Sequence, residues 1–161
     1  MISKISPNVS QLYFDTFGST VYVLKLKNQN ILIDTSSKEN KLELLEDLKQ
    51  LNLKQEEINF VILTHSHWDH NGNLNLFKNA NIITNENLNQ LPETIKSIKT
   101  PGHTKDSLCF LYKDILFSVD TIFHEEGRGR TDLPGGSENQ IQESIKKLKT
   151  LKYNILCPGH I

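Results

Sequence analysis

The chain has 161 residues and a formal charge of -1, with 37% hydrophobic and 23% charged residues. That length suits one domain, residues 1–161, with a core of its own. The near-neutral balance offers no field for holding nucleic acid, and no long apolar run reads as a leader peptide or a membrane span.

Along the chain, short apolar and β-branched runs recur between turn-forming residues: TVYVLKL, NILIDT, INFVILT, ANIIT, SLCFLY, DILFSVD and YNILCPG. Each reads as a strand. Helical patterns lie between them. SKENKLELLEDLKQLNL sets Leu42, Leu44, Leu45 and Leu48 at largely helical spacing, with Ser37 as the expected cap. SENQIQESIKKLKTL does the same with Ile141, Ile145, Leu148 and Leu151, and Ser137 with Gln140 fits a capping box. Hairpin-like strands followed by strand–helix alternation predict an α/β protein with mixed strand directions. The two cysteines, Cys109 and Cys157, fall inside apolar strand-like runs. A disulfide framework is therefore not expected, and a reducing cytoplasm is the expected compartment.

The chemistry concentrates in THSHWDH, Thr64 to His70, which holds three of the six histidines. It follows the buried strand INFVIL, and open α/β sheets place ligands just beyond the carboxyl ends of strands. His65 and His67 are two apart, so in extended chain they point to one side. Asp69 and His70 follow where the chain turns, and aim at a neighbouring point. That spacing suits two adjacent metals better than one. Other strand-like runs end in the same chemistry: IKTPGHT in His103, LFSVDT in Asp120 and ILCPGH in His160. Imidazole nitrogen and carboxylate oxygen are donors that zinc, iron and manganese accept, and a two-oxygen carboxylate such as Asp120 is able to bridge.

At these residues the chain resembles the metallo-β-lactamase-fold superfamily of metallohydrolases. The match runs in order through Asp34 in ILIDT, then THSHWDH, TPGHT, FSVDT and CPGH. The resemblance implies an αββα sandwich of two mixed β-sheets flanked by helices, shortened at the C-terminus. It implies one metal on His65, His67 and His103, and a second on Asp69, His70 and His160, with Asp120 between them. Asp34 would support the site by hydrogen bonding. The implied cofactor is two Zn²⁺, with one Fe²⁺ or a mixed zinc, iron and manganese load as alternatives. The segment GRGRTDLPGG, Gly127 to Gly136, resembles glyoxalase II-like hydrolases and, equally, persulfide dioxygenases of the same superfamily.

These resemblances imply a hydrolase of thioesters or related small esters, of the hydroxyacylglutathione hydrolase kind. A mononuclear iron persulfide dioxygenase is the first alternative, and another hydrolase such as a lactonase the second. Asp69 would orient the attacking water as well as ligate, and Asp69 and Asp120 are the candidate catalytic carboxylates. A small molecule is the expected partner, with no nucleic acid and no membrane. The sequence ends soon after His160, so a homodimer is one way to cover a sheet face that a further helix covers elsewhere in the family.

Some neighbours carry two readings. His124 is an exposed loop histidine or a substrate-positioning group. Arg128 and Arg130 are candidate ligands for a substrate carboxylate, and Arg130 is equally suited to an ion pair with Asp132. Trp68 is expected to pack beneath the ligand loop, and Cys157 to be a buried strand residue.

Overall fold

The computed structural model describes residues 1–161 apart from the side chain of Glu126. It divides into two compact units, Met1–Thr84 and Asn85–Ile161.

The first unit is a six-stranded sheet in the order β1-β2-β3-β4-β5-β6. β1 (Ile2–Ser6), β2 (Val9–Leu12), β3 (Val21–Leu26) and β4 (Gln29–Ile33) run antiparallel, neighbour to neighbour. Short turns close the hairpins at Pro7-Asn8 and Lys27-Asn28. The direction then changes. β5 (Phe60–Ile62) lies parallel to β4, and β6 (Asn81–Ile83) parallel to β5. Parallel neighbours need a crossover, and α1 (Lys41–Gln50) supplies the first. Ile33, Ile62 and Ile83 are in register, so β4, β5 and β6 all finish at one edge of the sheet. Asp34 and the Thr64–His70 loop emerge there together.

α1 belongs to this sheet because its apolar stripe has a face to bury. Leu44 and Leu48 join Val23, Leu32, Val61 and Phe77 in one buried cluster. Each such leucine contributes about 1.5–3 kcal/mol by burial, and truncating one to alanine costs about 2–5 kcal/mol. Leu42 and Leu45 do not share that depth, and Leu42 is exposed. The start of the helix also differs from expectation. Ser37 precedes a 3-10 turn, Lys38–Asn40, without capping it; its hydroxyl donates instead to the Phe17 carbonyl at 2.7 Å. The polar groups at this end of the helix hold a neighbouring loop.

The second unit is a four-stranded sheet in the order β10-β9-β8-β7. β7 (Lys96–Lys99), β8 (Leu108–Tyr112) and β9 (Ile115–Val119) are antiparallel, while β10 (Ile155–Pro158) runs parallel to β9. α3 (Glu138–Lys149) makes that crossover; a single turn, α2 (Trp68–Asn71), lies in the first unit. The Ser137 hydroxyl accepts from the Gln140 N–H at 3.4 Å, the cap that the sequence predicts. Leu148 of α3 packs with Ile98, Cys109 and Leu116 of the sheet. Both sheets are mixed, as the sequence predicts. Among the described residues no helix is long and apolar enough to cross a membrane.

Cys109 and Cys157 are both buried, and neither is in a disulfide. Burial pushes the Cys109 thiol up from an ordinary 9.0 to about 11, against the smaller opposing effect of hydrogen bonds with Thr100 and Thr121. The folded state therefore keeps a proton that the unfolded state has already released between these values, so stability falls as pH rises from 9 to 11. Unfolding in denaturant across this range should lose roughly 3 kcal/mol through Cys109. Cys109→Ala should flatten that part of the profile, and an unchanged slope would refute the assignment.

Candidate metal centre

In the first unit the ligand loop leaves β5 at Leu63 and enters α2 at Trp68. Its geometry is governed by Asp34, which has a left-handed φ of 61° just past β4 and is almost wholly buried. One carboxylate oxygen, Oδ1, accepts the Thr64 backbone N–H at 2.9 Å. The other accepts the Thr64 hydroxyl at 2.8 Å and His70 Nδ1 at 2.7 Å. A carboxylate accepts, so His70 carries its proton on Nδ1 and leaves Nε2 with a lone pair. The threonine hydroxyl has already donated to Asp34. Its 3.1 Å contact with His65 Nδ1 is therefore one in which His65 donates. His65 Nε2 is then also a lone-pair nitrogen.

These nitrogens are gathered. His65 Nε2 and His67 Nδ1 lie 3.0 Å apart, and His65 and His70 offer ligand atoms within 4.8 Å of one another. Asp69 Oδ2 lies 3.8 Å from His70 Nε2. His65, Asp69 and His70 are buried, while His67 is half-buried. The structure thus brings His65, His67, Asp69 and His70 together, with Asp34 behind His70.

The second unit gathers His103, Asp120 and His160. His103 Nδ1 donates to the Arg130 carbonyl at 2.8 Å, which again leaves Nε2 with its lone pair. That Nε2 lies 3.4 Å from Asp120 Oδ2, and His160 Nε2 lies 3.5 Å from the same oxygen. Both separations exceed an ordinary N–H···O hydrogen bond. They match two donors sharing a tetrahedral cation with bonds near 2.0–2.2 Å, which sit about 3.3–3.6 Å apart. The donor set fits a metal by this test.

Backbone geometry aims Asp120. Val119, a buried β-branched residue, has φ of 42°, a conformation such residues avoid. Opposite it, the register with β10 slips between Cys157 and Pro158, leaving Ser118 as an extra residue. The bulge turns the end of β9 and re-aims its side chain. Gly129 then packs against this corner. A Cβ there would stand 2.0 Å from the Asp120 carbonyl oxygen and 3.0 Å from His103 Nδ1.

The sequence profile of the metallo-beta-lactamase superfamily matches residues 14–86 and 86–160. The chain belongs to this superfamily. A probable metallo-hydrolase of Methanocaldococcus jannaschii is 33% identical over 143 residues, covering 81% of this chain and 70% of that protein. Hydroxyacylglutathione hydrolase 1 of Vibrio vulnificus is 30% identical over 150 residues, covering 81% of this chain but 57% of its own length. Among solved structures, a metallo-beta-lactamase family protein of Thermus thermophilus aligns with a TM-score of 0.81 at 16% identity, covering 98% of this chain and 75% of that one. That likeness establishes the fold, the α/β arrangement of two mixed sheets typical of the superfamily.

Of the remaining residues singled out by sequence, His124 sits on an exposed turn, His124–Glu126. Arg128 pairs with Glu138 at 2.7 Å. Arg130 makes a two-point pair with Asp132, at 2.7 and 2.6 Å, which holds the Asp132 carboxyl down at about 2. Trp68 corrects the sequence reading. It is 59% exposed and stands against Phe17 rather than beneath the loop. Its neighbours His67 and Asp69 turn toward the ligand cluster, which leaves Trp68 on the outer side. Sequence reasoning missed Thr64 and Gly129. The first is signalled only by its place next to His65, the second by the alternating glycines of GRGR.

A superfamily site built this way predicts that the supporting atoms control metal affinity. Asp34→Asn should weaken zinc binding about 10–100-fold in competition with a chelating dye. Gly129→Ala should lower the bound metal per chain, because the Asp120 backbone has to move. Arg130→Ala keeps the carbonyl that holds His103 and should purify with the wild-type metal content. The reverse ranking of these two variants would contradict the geometry.

Proposed function

We propose that this metal-dependent hydrolase of the metallo-beta-lactamase superfamily is a dinuclear zinc enzyme acting on thioesters or related small esters. The observation that supports the reading is the donor chemistry: His65, His70 and His103 each have Nδ1 held by the protein and direct Nε2 toward a second candidate ligand, His67, Asp69 and Asp120 in turn. Seven donors, all imidazole or carboxylate, exceed what one tetrahedral ion takes. His65, His67 and His103 would hold one zinc and Asp69, His70 and His160 the other, with Asp120 available to both. Structural zinc sites are closed and commonly thiolate-rich, whereas a site of histidines and aspartates suits an open catalytic centre. The likeness to a hydroxyacylglutathione hydrolase supports a thioester over other acyl compounds.

Zinc, when bound, makes water acidic enough to act as a nucleophile near neutral pH and polarises an acyl carbonyl. The protein supplies the rest. Asp69 would help hold one zinc and would orient the attacking water; its Oδ2 lies 3.8 Å from His70 Nε2. Asp34 and Thr64 hold the Nδ1 atoms of His70 and His65. The leaving thiolate is stable at neutral pH and needs little protonation, which suits a set of residues without a dedicated acid.

Protein purified without added metal should carry two zincs per chain and hydrolyse a generic thioester. Chelation should abolish turnover, zinc should restore it, and His103→Ala should lose both turnover and metal. One iron per chain, with sulfur-dependent oxygen uptake and no thioester cleavage, would replace this reading with the dioxygenase one.

A further inference from the structure

Two candidate ligands of the second unit, His103 and Asp120, stand on different turns, and a set of small polar side chains joins those turns in the interior. Thr100 opens the turn that carries His103, three residues before it. Thr121 follows Asp120 directly. Cys109 lies on β8, the strand between β7 and β9. None of the three is more than 2% exposed.

Their contacts form an ordered chain. The Thr121 hydroxyl donates to the Thr100 hydroxyl oxygen at 3.2 Å. Thr100 keeps its own proton to give, and the Cys109 sulfur stands 3.3 Å away to accept it. The thiol proton goes to the Ser118 carbonyl at 3.3 Å, because a carbonyl only accepts. The chain Thr121, Thr100, Cys109, Ser118 therefore starts one residue after Asp120 and ends two before it. The Thr121 N–H closes the ring by donating to the same Ser118 carbonyl at 2.9 Å.

Inside this ring lies Val119, with its φ of 42°. The turn that aims Asp120 is thus held at both ends by one hydrogen-bonded circuit, and a buried circuit of this kind is rigid when every member is satisfied. Thr100 also fixes the base of the other turn, where its N–H donates to the Ser107 carbonyl at 2.9 Å. Packing alone does not call for polar groups here. Ile98, Leu116 and Leu148 form an apolar cluster with Cys109, so apolar side chains would suit the same interior.

We propose that Thr100 is a positioning residue of the metal centre. Acting through Thr121 and Cys109, it sets the 3.4 Å separation of His103 Nε2 and Asp120 Oδ2 at the value one cation requires. This rests on a metal being bound at these ligands and is independent of the substrate.

Thr100→Val keeps the shape of the side chain and removes the hydroxyl at the middle of the chain. It should weaken zinc binding about tenfold in competition with a chelating dye. It should also alter the visible absorption of the cobalt(II)-substituted protein, which reports ligand geometry and which a merely structural role would leave unmoved. Thr100→Ser restores the hydroxyl and should recover both. Thr121→Val removes the first donor, leaves no buried donor without an acceptor, and should act in the same direction with a smaller loss. A Thr100→Val protein with wild-type zinc affinity and cobalt spectrum overturns the proposal, as does a loss that Thr100→Ser fails to recover. Should Thr100→Val not fold, an unchanged affinity and spectrum in Thr121→Val overturns it equally. Failure of the thioesterase reading shows separately, as a zinc-loaded wild-type protein that leaves a thioester intact while the affinities keep this ranking.

Discussion

An imidazole is a metal ligand only when one ring nitrogen is free of its proton and correctly aimed. The structure meets that condition by engaging the other nitrogen. His70 is fixed by Asp34, His65 by Thr64, and His103 by the Arg130 carbonyl. The first two are one device, because Thr64 has only one hydroxyl proton and gives it to the Asp34 carboxylate that also takes the His70 proton. A single buried carboxylate therefore sets the tautomers of two histidines from different positions in the loop. Such a network is costly when partly satisfied and rigid when complete. Asp34 accepts three hydrogen bonds, all from the Thr64–His70 stretch and two of them from Thr64.

The sheets make this arrangement available. Parallel pairing of β4 with β5 brings Asp34 and Thr64 to one edge although thirty positions separate them. Each aspartate that shapes the centre is found where the backbone departs from strand geometry. Asp34 itself has φ of 61°, and Val119, just before Asp120, has φ of 42°. Non-glycine residues held this way cost on the order of 1–3 kcal/mol each and persist only when their surroundings over-determine them. At Asp34 the three accepted hydrogen bonds do so. At Val119 the bulge against β10, the turn bond from the Thr121 N–H to the Ser118 carbonyl and the bond from the Gly159 N–H to the Val119 carbonyl do so.

The sequence disclosed the parts with strong local signals. All seven apolar runs became strands, and both leucine- and isoleucine-spaced segments became helices. β1 and β2 escaped because ISKIS and VSQL are short, with apolar residues too few to set a period, and only the end of β7 was legible, in the run IKTPGHT. The ligand candidates stood out because histidine is scarce and five of its six copies follow strand-like runs. Their supports did not stand out. Thr64 and Gly129 are common residue types, and what matters about them is a hydroxyl's direction and a missing Cβ. Arg130 invites attention for its guanidinium, yet the atom that touches a ligand is its carbonyl oxygen. Trp68 was misplaced for a related reason. Large apolar residues are assigned to the interior by default, and a loop whose inner side is filled by histidines has no interior to offer it.

Sulfur completes the argument about what the centre is. The chain has two cysteines and uses neither among the candidate ligands, although Cys109 lies close behind Asp120. Its thiol donates to the Ser118 carbonyl at 3.3 Å, and its sulfur lies 3.3 Å from the Thr121 hydroxyl, on the residues two before and one after Asp120. Thiolate, not thiol, is the form that binds zinc. Burial that raises this group to about 11 keeps it protonated at neutral pH, so it packs beneath the aspartate without competing for the cation. The donors that remain are nitrogen and oxygen, which leave a metal more electrophilic than four thiolates would. A cation held this way retains the capacity to activate water, and that capacity separates a catalytic centre from one that only ties a fold together.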